Sequence, residues 1–550
     1  MKYLSFILLF ILSVNLSGQQ PLSSNLPIVI INTSGQNIKD EPKITAQMKI
    51  VYNGENERNS INDSSYNYNG YIGIELRGNS SLSFNQKQYT LETRDASGQN
   101  LDATLLGMPA ENDWVLYAPY NDYSLIRNVI AYHLWNMMGY WAPRTKMVEL
   151  VLNDDYQGVY VLTETIKKDD NRLNISKLNP TDTSGLELTG GYIMRIDVSN
   201  NDDDLTFNSK VKGIGTVANK TVTWLHHYPK PDEIHPLQTE YIRKYIDTVE
   251  LLIQSPEYAD PVNGYSKFIE VQSFVDYFIH SELALNADGY KRSAYFYKEK
   301  MKNDGTGGKL HAGPVWDYNL AFGICNFCNG NKINSWGYEG CETNPTPAMW
   351  QRLIQDPAFC NEVKCRYKEL RDNILSEEYL YSFIDNQASL LQEAQARHFE
   401  KWDELFDNES GFPWGGGMWG GMGGNLWFNA YSVESYAEEI SVIKQWLSDR
   451  LKFLDENLPG ECLVSDNHID LEDKILIFPN PFTDFIYIES DTPITGFDIY
   501  DISGEKIFGK SINKQNNIII DDFIYLPGKT YILSIYTSEG QIVNRKVLKE

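Results

Sequence analysis

The sequence predicts an α+β protein that ends in a small all-β sandwich. Polar and apolar residues alternate at 71–76, as in a half-buried strand, whereas apolar residues recur at helical spacing over 271–286. Beyond residue 473 the chain consists of short apolar runs separated by turn residues, which is typical of a small sandwich. We therefore expect an α+β domain over residues 19–465 and an all-β domain over residues 474–550.

The elements of the α+β region follow from the spacing of its apolar residues. A helix is expected after Ser124, a typical N-cap residue, and it should end at Gly139. Asn153-Asp154-Asp155 lies between two apolar runs and predicts a hairpin turn. The other predicted strands are 88–93, 147–152, 158–163 and 309–315. The other predicted helices are 239–253, 347–374, 377–405 and 433–454.

The N-terminus has the composition of a secretory signal peptide over residues 1–18. Met1-Lys2 gives a positive start, residues 3–14 are almost wholly apolar, and Ser17-Gly18 offers small residues for cleavage. No later apolar run is long enough to span a bilayer, so the sequence predicts no transmembrane segment.

Net charge and cysteine content narrow the expected partners and the cellular compartment of the protein. The chain has 48 basic and 74 acidic residues, a net charge of −26, and such a surface repels phosphate backbones, so nucleic acid is not an expected partner. Six cysteines fit an oxidising compartment, where disulfides form. Their pairing is open, and Cys325-x-x-Cys328 is alternatively half of a zinc site.

Several motifs follow one another in the tail. They are Phe478-Pro479-Asn480-Pro481-Phe482, Ile499-Tyr500-Asp501, Leu526-Pro527-Gly528 and the basic run 545–549. Because of these motifs, the tail resembles the C-terminal sorting domains of type IX secretion substrates. The resemblance implies the secretion machinery as a partner and export across the outer membrane, followed by release or surface anchoring. The predicted tail strands are 475–478, 485–488, 497–500, 518–520, 531–536 and 542–548.

Three features of the α+β region are suited to phosphate chemistry. Asp288 follows an apolar helix, and a carboxylate there can be held rigidly at a cleft. Asp317 and Asn319 lie two apart after a predicted strand, so they point to one side and can share a hard cation. Lys87 precedes a strand and can reach a phosphate. Singly these are also ordinary turn and surface residues, but together they match a phosphoryl-transfer layout.

Longer motifs surround these residues. They include Arg77-Gly78-Asn79-Ser80-Ser81, Leu106-Gly107-Met108-Pro109, Ile126-Arg127-Asn128, residues 158–164 and 286–297, and Gly313-Pro314-Val315-Trp316-Asp317-Tyr318-Asn319. In this order they make residues 26–460 similar to the CotH family of kinase-like proteins. The resemblance implies a divergent protein-kinase fold and transfer of the γ-phosphoryl of ATP to protein hydroxyls, with Mg²⁺ or Mn²⁺.

The resemblance also implies roles for individual residues. Asp288 would accept the proton of the substrate hydroxyl, Asp317 would hold the metal with Asn319, and Lys87 would hold the ATP phosphates. The further cofactor-binding candidates are Arg77, Arg127 and, near the adenine, Glu164.

An inactive scaffold is the alternative that the sequence leaves open. Ser293 stands where some family members have an Asn, and no glycine-rich phosphate loop is present. The chain is then a surface adhesin or matrix-binding protein, and the Trp/Met/Gly-rich segment 414–424 favours that interpretation. A glycosidase that uses Asp288 and Asp317 as its carboxylate pair is a further, weaker alternative.

Overall fold

The computed structural model describes the residues 22–199, 204–215, 220–341, 343–403, 429–462, 475–478, 482, 485–500, 506–521, 526–538 and 542–549. They fall into two compact units that divide after Cys462. The predicted signal peptide and the segment 414–424 lie outside the described residues. No described helix combines the length and the hydropathy that a membrane-spanning segment requires.

The first unit begins with a closed barrel of seven strands. Neighbouring strands run in the order β10-β11-β9-β6-β5-β3-β2, and the barrel closes because β2 pairs in parallel with β10. Its interior is filled by buried Val, Ile and Leu side chains that alternate along the strands. The first eleven strands are β1 (Ser23–Ser24), β2 (Ile28–Asn32), β3 (Ile44–Val51), β4 (Asn59–Ser60), β5 (Tyr68–Arg77), β6 (Gln88–Arg94), β7 (Ala103–Leu105), β8 (Met108–Glu111), β9 (Asp113–Tyr117), β10 (Thr145–Leu152) and β11 (Asp155–Glu164).

The described part of this unit also contains two small two-stranded sheets, β1-β4 and β7-β8, a second large sheet, which is antiparallel, and eight α-helices. The sheet order is β13-β14-β12-β15-β16. Its strands are β12 (Tyr192–Ile196), β13 (Thr206–Lys212), β14 (Thr221–Tyr228), β15 (Ala294–Lys298) and β16 (Leu310–Ala312). The helices are α1 (Arg127–Met137), α2 (Pro236–Gln254), α3 (Val271–Ala284), α4 (Ala348–Leu353), α5 (Pro357–Arg371), α6 (Glu377–Leu391), α7 (Ala394–Lys401) and α8 (Tyr436–Asn457).

The predicted elements exist, but several boundaries differ. Helix α1 begins at Arg127, and the carboxylate of Asp122 rather than the side chain of Ser124 accepts its first N–H, at 2.9 Å. The helix predicted over 347–374 is broken before Pro357, because Pro cannot continue a helix but starts one well after the Asp356 cap. The helix predicted over 377–405 is likewise two helices, α6 and α7.

The second unit contains one antiparallel sheet of five strands. The sheet order is β17-β18-β20-β21, and β19 also pairs with β18. The two strands predicted at 485–488 and 497–500 are the two ends of the single long strand β18. A second sheet facing this one is not found among the described residues of the tail. The strands are β17 (Ile475–Phe478), β18 (Ile486–Tyr500), β19 (Lys506–Ile520), β20 (Thr530–Thr537) and β21 (Ile542–Leu548).

Two disulfides join described cysteines of the first unit. Cys328 pairs with Cys341, and Cys365 pairs with Cys462. Because Cys328 is committed to a disulfide, its sulfur is not available for the alternative zinc site with Cys325. The prediction of disulfides is therefore confirmed.

These elements confirm the α+β class. The barrel and the five-stranded sheet of the tail are what the structure adds to that prediction. The finer expectations, a divergent kinase fold and a sandwich, are not confirmed by the described elements and remain predictions.

Candidate active-site cleft

A cleft of about 790 Å³ opens in the first unit, between one end of the barrel and the second sheet. Residues 77–81 after β5 line one side of it, and Asp197 at the end of β12 lines another. Asp288, from the loop after α3, and both Asp317 and Asn319, from the segment after β16, complete the wall. Residues that lie far apart in the sequence therefore meet in one polar cavity.

Asp317 has an unusual backbone conformation. Its φ is +65°, in the left-handed region that residues other than glycine rarely adopt. The conformation is held through the main chain, because Asp317 N donates to Tyr132 Oη at 3.1 Å and Asp317 O accepts from Asn286 Nδ2 at 3.0 Å. Strained backbone of this kind concentrates at functional sites.

Helix α1 provides most of the support for this segment. Asn128 Oδ1 accepts from Tyr318 N at 2.6 Å, and Arg127 Nε donates to Ala321 O at 3.0 Å. With the hydroxyl of Tyr132, three side chains of α1 hold the main chain from Asp317 onward. The position of the Asp317 carboxylate therefore depends on the position of α1.

Arg127 is a structural link and does not line the cleft. Its side chain is fully buried and forms ion pairs with Asp122 and with Glu439 of α8, the latter at 2.7 Å. It also donates to Tyr431 Oη at 2.7 Å. A buried guanidinium with these partners connects α1, α8 and the segment after Asp317.

The electrostatics of the cleft favour a bound cation. The pKa of the Asp317 carboxyl is raised to about 6, mainly by burial and in part by the nearby carboxylates of Asp288 and Asp197, against the opposing effect of Arg77. Within the described part of the chain, no side chain or N–H donates a hydrogen bond to that carboxylate. A partly buried carboxylate that accepts no hydrogen bond is stabilised when a cation binds it.

Asn286 connects the segments that carry Asp288, the predicted catalytic residue, and Asp317, the predicted metal ligand. Its Nδ2 donates to Asp317 O at 3.0 Å, and its Oδ1 accepts from Asp288 N at 3.3 Å. The Asp288 side chain is 20% exposed and lies 4.0 Å from the guanidinium of Arg292. Asp288 is thus fixed through its backbone, while its carboxylate stays accessible from the cleft.

The oxygen atoms in the cleft fit a hard cation. Asn319 Nδ2 donates to Asn121 Oδ1 at 3.4 Å, which leaves Asn319 Oδ1 for another partner beside Asp317. The described residues contain no group of three or more His, Cys, Asp or Glu side chains placed to hold a metal. A site of one or two carboxylates completed by an amide oxygen, water and phosphate suits Mg²⁺ or Mn²⁺ better than zinc.

Other predicted residues lie outside the cleft. Lys87 Nζ donates to Leu82 O at 2.7 Å, and Lys87 does not belong to the wall of the cleft. Glu164 is buried, and its carboxylate accepts from Arg144 Nε at 2.9 Å. Arg77 does line the cleft, with its guanidinium 5.2 Å from the ring of Trp316. The ATP-binding roles of Lys87, Glu164 and Arg127 remain predictions.

Sequence reasoning missed three charged residues of the cleft wall. Arg195, Asp197 and Arg292 all line the cleft. Arg195 and Asp197 are two apart on a strand, and this spacing was the one signal that could have placed them together. The lining segment 78–81 is tight, because Gly78 has a φ of +124° and a Cβ there would lie 1.9 Å from Ser81 Oγ.

Comparison with protein-family models gives two matches. The model of the secretion system C-terminal sorting domain matches residues 476–550, so the tail is a type IX sorting domain, and the protein is secreted or exported to the cell surface. A comparison with curated proteins found no match for the chain. The model described as CotH kinase protein matches residues 74–454, the region that contains the cleft. Since this match covers well over half of the sequence, the chain belongs to the CotH family.

Proposed function

We propose that the protein is an exported phosphotransferase that moves the γ-phosphoryl group of ATP to a hydroxyl of a protein substrate. The observation that carries the proposal is the convergence of Asp288 and Asp317 on one cleft, with Asn286 bound to both segments. A carboxylate that can accept a proton, next to one that can hold a cation, is the arrangement that phosphoryl transfer requires.

The roles of the side chains follow from their surroundings. Asp317, with Asn319, would hold Mg²⁺ or Mn²⁺, which supplies charge neutralisation at the phosphate oxygens when bound. Asp288 orients the attacking hydroxyl and takes its proton, because its carboxylate is accessible at the cleft. The hydroxyl oxygen forms a bond to the γ-phosphorus, the bond from that phosphorus to the bridging oxygen breaks, and ADP leaves.

A catalytically inactive binding scaffold is the second candidate. The observation that favours it is the position of Lys87, whose ammonium group bonds the main chain of Leu82 instead of facing the cleft. On this alternative the cleft, or another surface, binds a surface partner without chemistry.

Labelled ATP and Mn²⁺, with the purified full-length protein, test the proposal. We expect transfer by the wild type, and a loss of at least about 100-fold in both Asp288→Asn and Asp317→Asn. Mn²⁺ binding, measured by calorimetry, should be lost in Asp317→Asn and kept in Asp288→Asn. Asp385→Asn, at an exposed carboxylate on α6 that pairs with Lys444, is the control and should behave as the wild type. If the wild type neither transfers phosphate nor binds nucleotide, the scaffold is the correct function.

A further inference from the structure

Phosphoryl transfer needs cationic side chains at the phosphate oxygens of the nucleotide. Lys87, the lysine predicted for this task, is turned to the carbonyl of Leu82. Among the described residues, the cations that line the cleft are three arginines: Arg77, Arg195 and Arg292. They come from the barrel, from β12 and from the loop after α3, so the fold brings them together from three separate elements.

Two of these arginines have only loose contacts with carboxylates. Arg195 Nη1 lies 3.9 Å from Asp197, and Arg292 Nε lies 4.0 Å from Asp288. In a charge-assisted hydrogen bond between a guanidinium and a carboxylate, the N···O distance is about 1 Å shorter than these two distances. In the amide orientation of Asn344 that satisfies both groups, its oxygen accepts from both Nε and Nη2 of Arg292, the latter at 3.1 Å. Arg195 also shares a side-chain hydrogen bond with Tyr295. Among the described residues, the remaining guanidinium N–H groups, such as Arg195 Nε, have hydrogen-bonding capacity that the protein does not use.

Two buried donors at the wall point to a ligand rich in acceptors. Arg195 Nε and Asn121 Nδ2 are both buried without a hydrogen-bond partner among the described residues. Asn121 lines the cleft and is only 2% exposed, so bulk water does not satisfy its amide. Leaving such a donor unpaired is unfavourable, and a hydrogen bond to a ligand oxygen would remove that cost.

We propose that Arg195 and Arg292 bind the phosphate chain of a nucleoside triphosphate, in the role that the sequence suggested for Lys87. The choice of a triphosphate rests on the proposed function, whereas the site itself rests on the geometry of the two arginines. A polyphosphate with its cation carries both signs of charge and matches a wall of three arginines and three aspartates. A phosphate that draws Arg292 away from Asp288 would also free that carboxylate to accept the hydroxyl proton.

Calorimetric titration of the full-length protein with tripolyphosphate, and separately with ATP and Mg²⁺, tests the inference. We expect Arg195→Gln and Arg292→Gln each to weaken both ligands at least about ten-fold, while Lys87→Gln changes the affinities less than two-fold. Arg243→Gln on α2 is a matched control, because Arg243 also has an aspartate four residues away, at 3.7 Å, and its exposure of 38% is close to the 37% of Arg292. Arg195→Lys keeps the charge and should keep part of the affinity, provided that thermal unfolding shows each variant folded.

Two other outcomes separate this inference from the proposed function, and a third overturns both. If Lys87→Gln abolishes binding while the arginine variants bind normally, the inference is wrong and the phosphotransferase stands. If the arginines control binding but no phosphate is transferred, the inference stands and the phosphotransferase is wrong. Absence of any binding of tripolyphosphate or ATP to the wild type at millimolar concentration overturns both.

Discussion

Single residues show how closely the cleft depends on its main-chain contacts. Asp317 keeps a positive φ, and none of the hydrogen bonds that hold it involves its own carboxylate. The hydroxyl of Tyr132 and the amide of Asn286 bind its N–H and C=O instead. A carboxylate positioned in this way stays free to bind a cation, so these supporting residues should affect metal affinity without touching the metal.

Replacing Tyr132 by Phe tests this dependence. The ring, which stacks on Trp316 with centroids 6.1 Å apart, remains, and only the acceptor for Asp317 N is lost. We expect Mn²⁺ affinity to fall about ten-fold, which corresponds to about 1.4 kcal/mol. The free energy of unfolding should fall by about 1 kcal/mol, as for one lost hydrogen bond. The readouts are calorimetric Mn²⁺ titration and denaturant unfolding.

Tyr140→Phe is the control for that change. Its hydroxyl donates to Asp276 at 2.8 Å and makes no contact with the Asp317 segment, so its loss should affect stability and leave Mn²⁺ affinity unchanged. Equal Mn²⁺ affinities in the wild type and in Tyr132→Phe would show that the hydroxyl does not position Asp317.

The sequence could predict some members of the cleft and not others. Asp288, Asp317, Asn319 and Arg77 all reach it. Lys87 does not, although its neighbour Gln88 does, because successive residues of an extended chain point to opposite sides. A sequence alone does not fix that one-residue register, which depends on how β6 pairs with β5 and β9.

At the scale of elements, helix α7 packs against strand β11 through a buried histidine. Val159 N donates to Nδ1 of His398 at 3.1 Å, so this ring nitrogen is an acceptor and the imidazole is neutral. The helix can approach so closely because the neighbouring Gly158 has no Cβ, which would lie 2.8 Å from the same nitrogen. Complete burial lowers the pKa of His398 to about 3.

This contact predicts a loss of stability in acid. In the unfolded chain a histidine titrates near pH 6.5, whereas the folded protein keeps His398 neutral down to about pH 3. Below pH 6.5 the unfolded state therefore binds the additional proton, and stability falls as the pH falls. We expect His398 to contribute a loss of about 2 kcal/mol between pH 7.5 and pH 5.

Denaturant unfolding of the wild type and of His398→Gln across this pH range measures the contribution. Between pH 7.5 and pH 5 the free energy of unfolding of the wild type should fall by about 2 kcal/mol more than that of His398→Gln. The difference belongs to His398 because all other titrating groups are common to both proteins. Parallel curves would mean that the ring is protonated in the folded state and that α7 packs differently from the contact described here.

Element boundaries were predictable only where the local signal was complete. Asn153 and Asp154 both adopt positive φ in the hairpin between β10 and β11, as the predicted turn requires. The break between α4 and α5 depends on Pro357, which was visible in the sequence, but the apolar spacing continues on both sides of it. Ser124 failed as a cap because its hydroxyl donates to the Asp122 carboxylate, which lies in the buried network around Arg127.

For the whole molecule, the two disulfides constrain the first unit on very different length scales. The Cys328–Cys341 bond closes a short loop with a sequence separation of 13 residues. The Cys365–Cys462 bond spans 97 residues and joins α5 to the last residue of this unit. Neither pairing could be predicted, because the proximity of two cysteines depends on how the folded chain brings them together and not on their spacing in the sequence.

Loop length then predicts which bond stabilises the first unit more. Closing the longer loop removes more entropy from the unfolded chain, so the double variant Cys365→Ser/Cys462→Ser should lose roughly 4–5 kcal/mol and Cys328→Ser/Cys341→Ser roughly 3 kcal/mol. All 12 tryptophans precede residue 463, so tryptophan fluorescence during denaturant unfolding reports this unit without the sorting domain. Reductant should bring the wild type down to the stability of a variant that lacks both bonds. A larger loss from the short loop would mean that native-state strain or residual structure in the unfolded chain outweighs loop entropy.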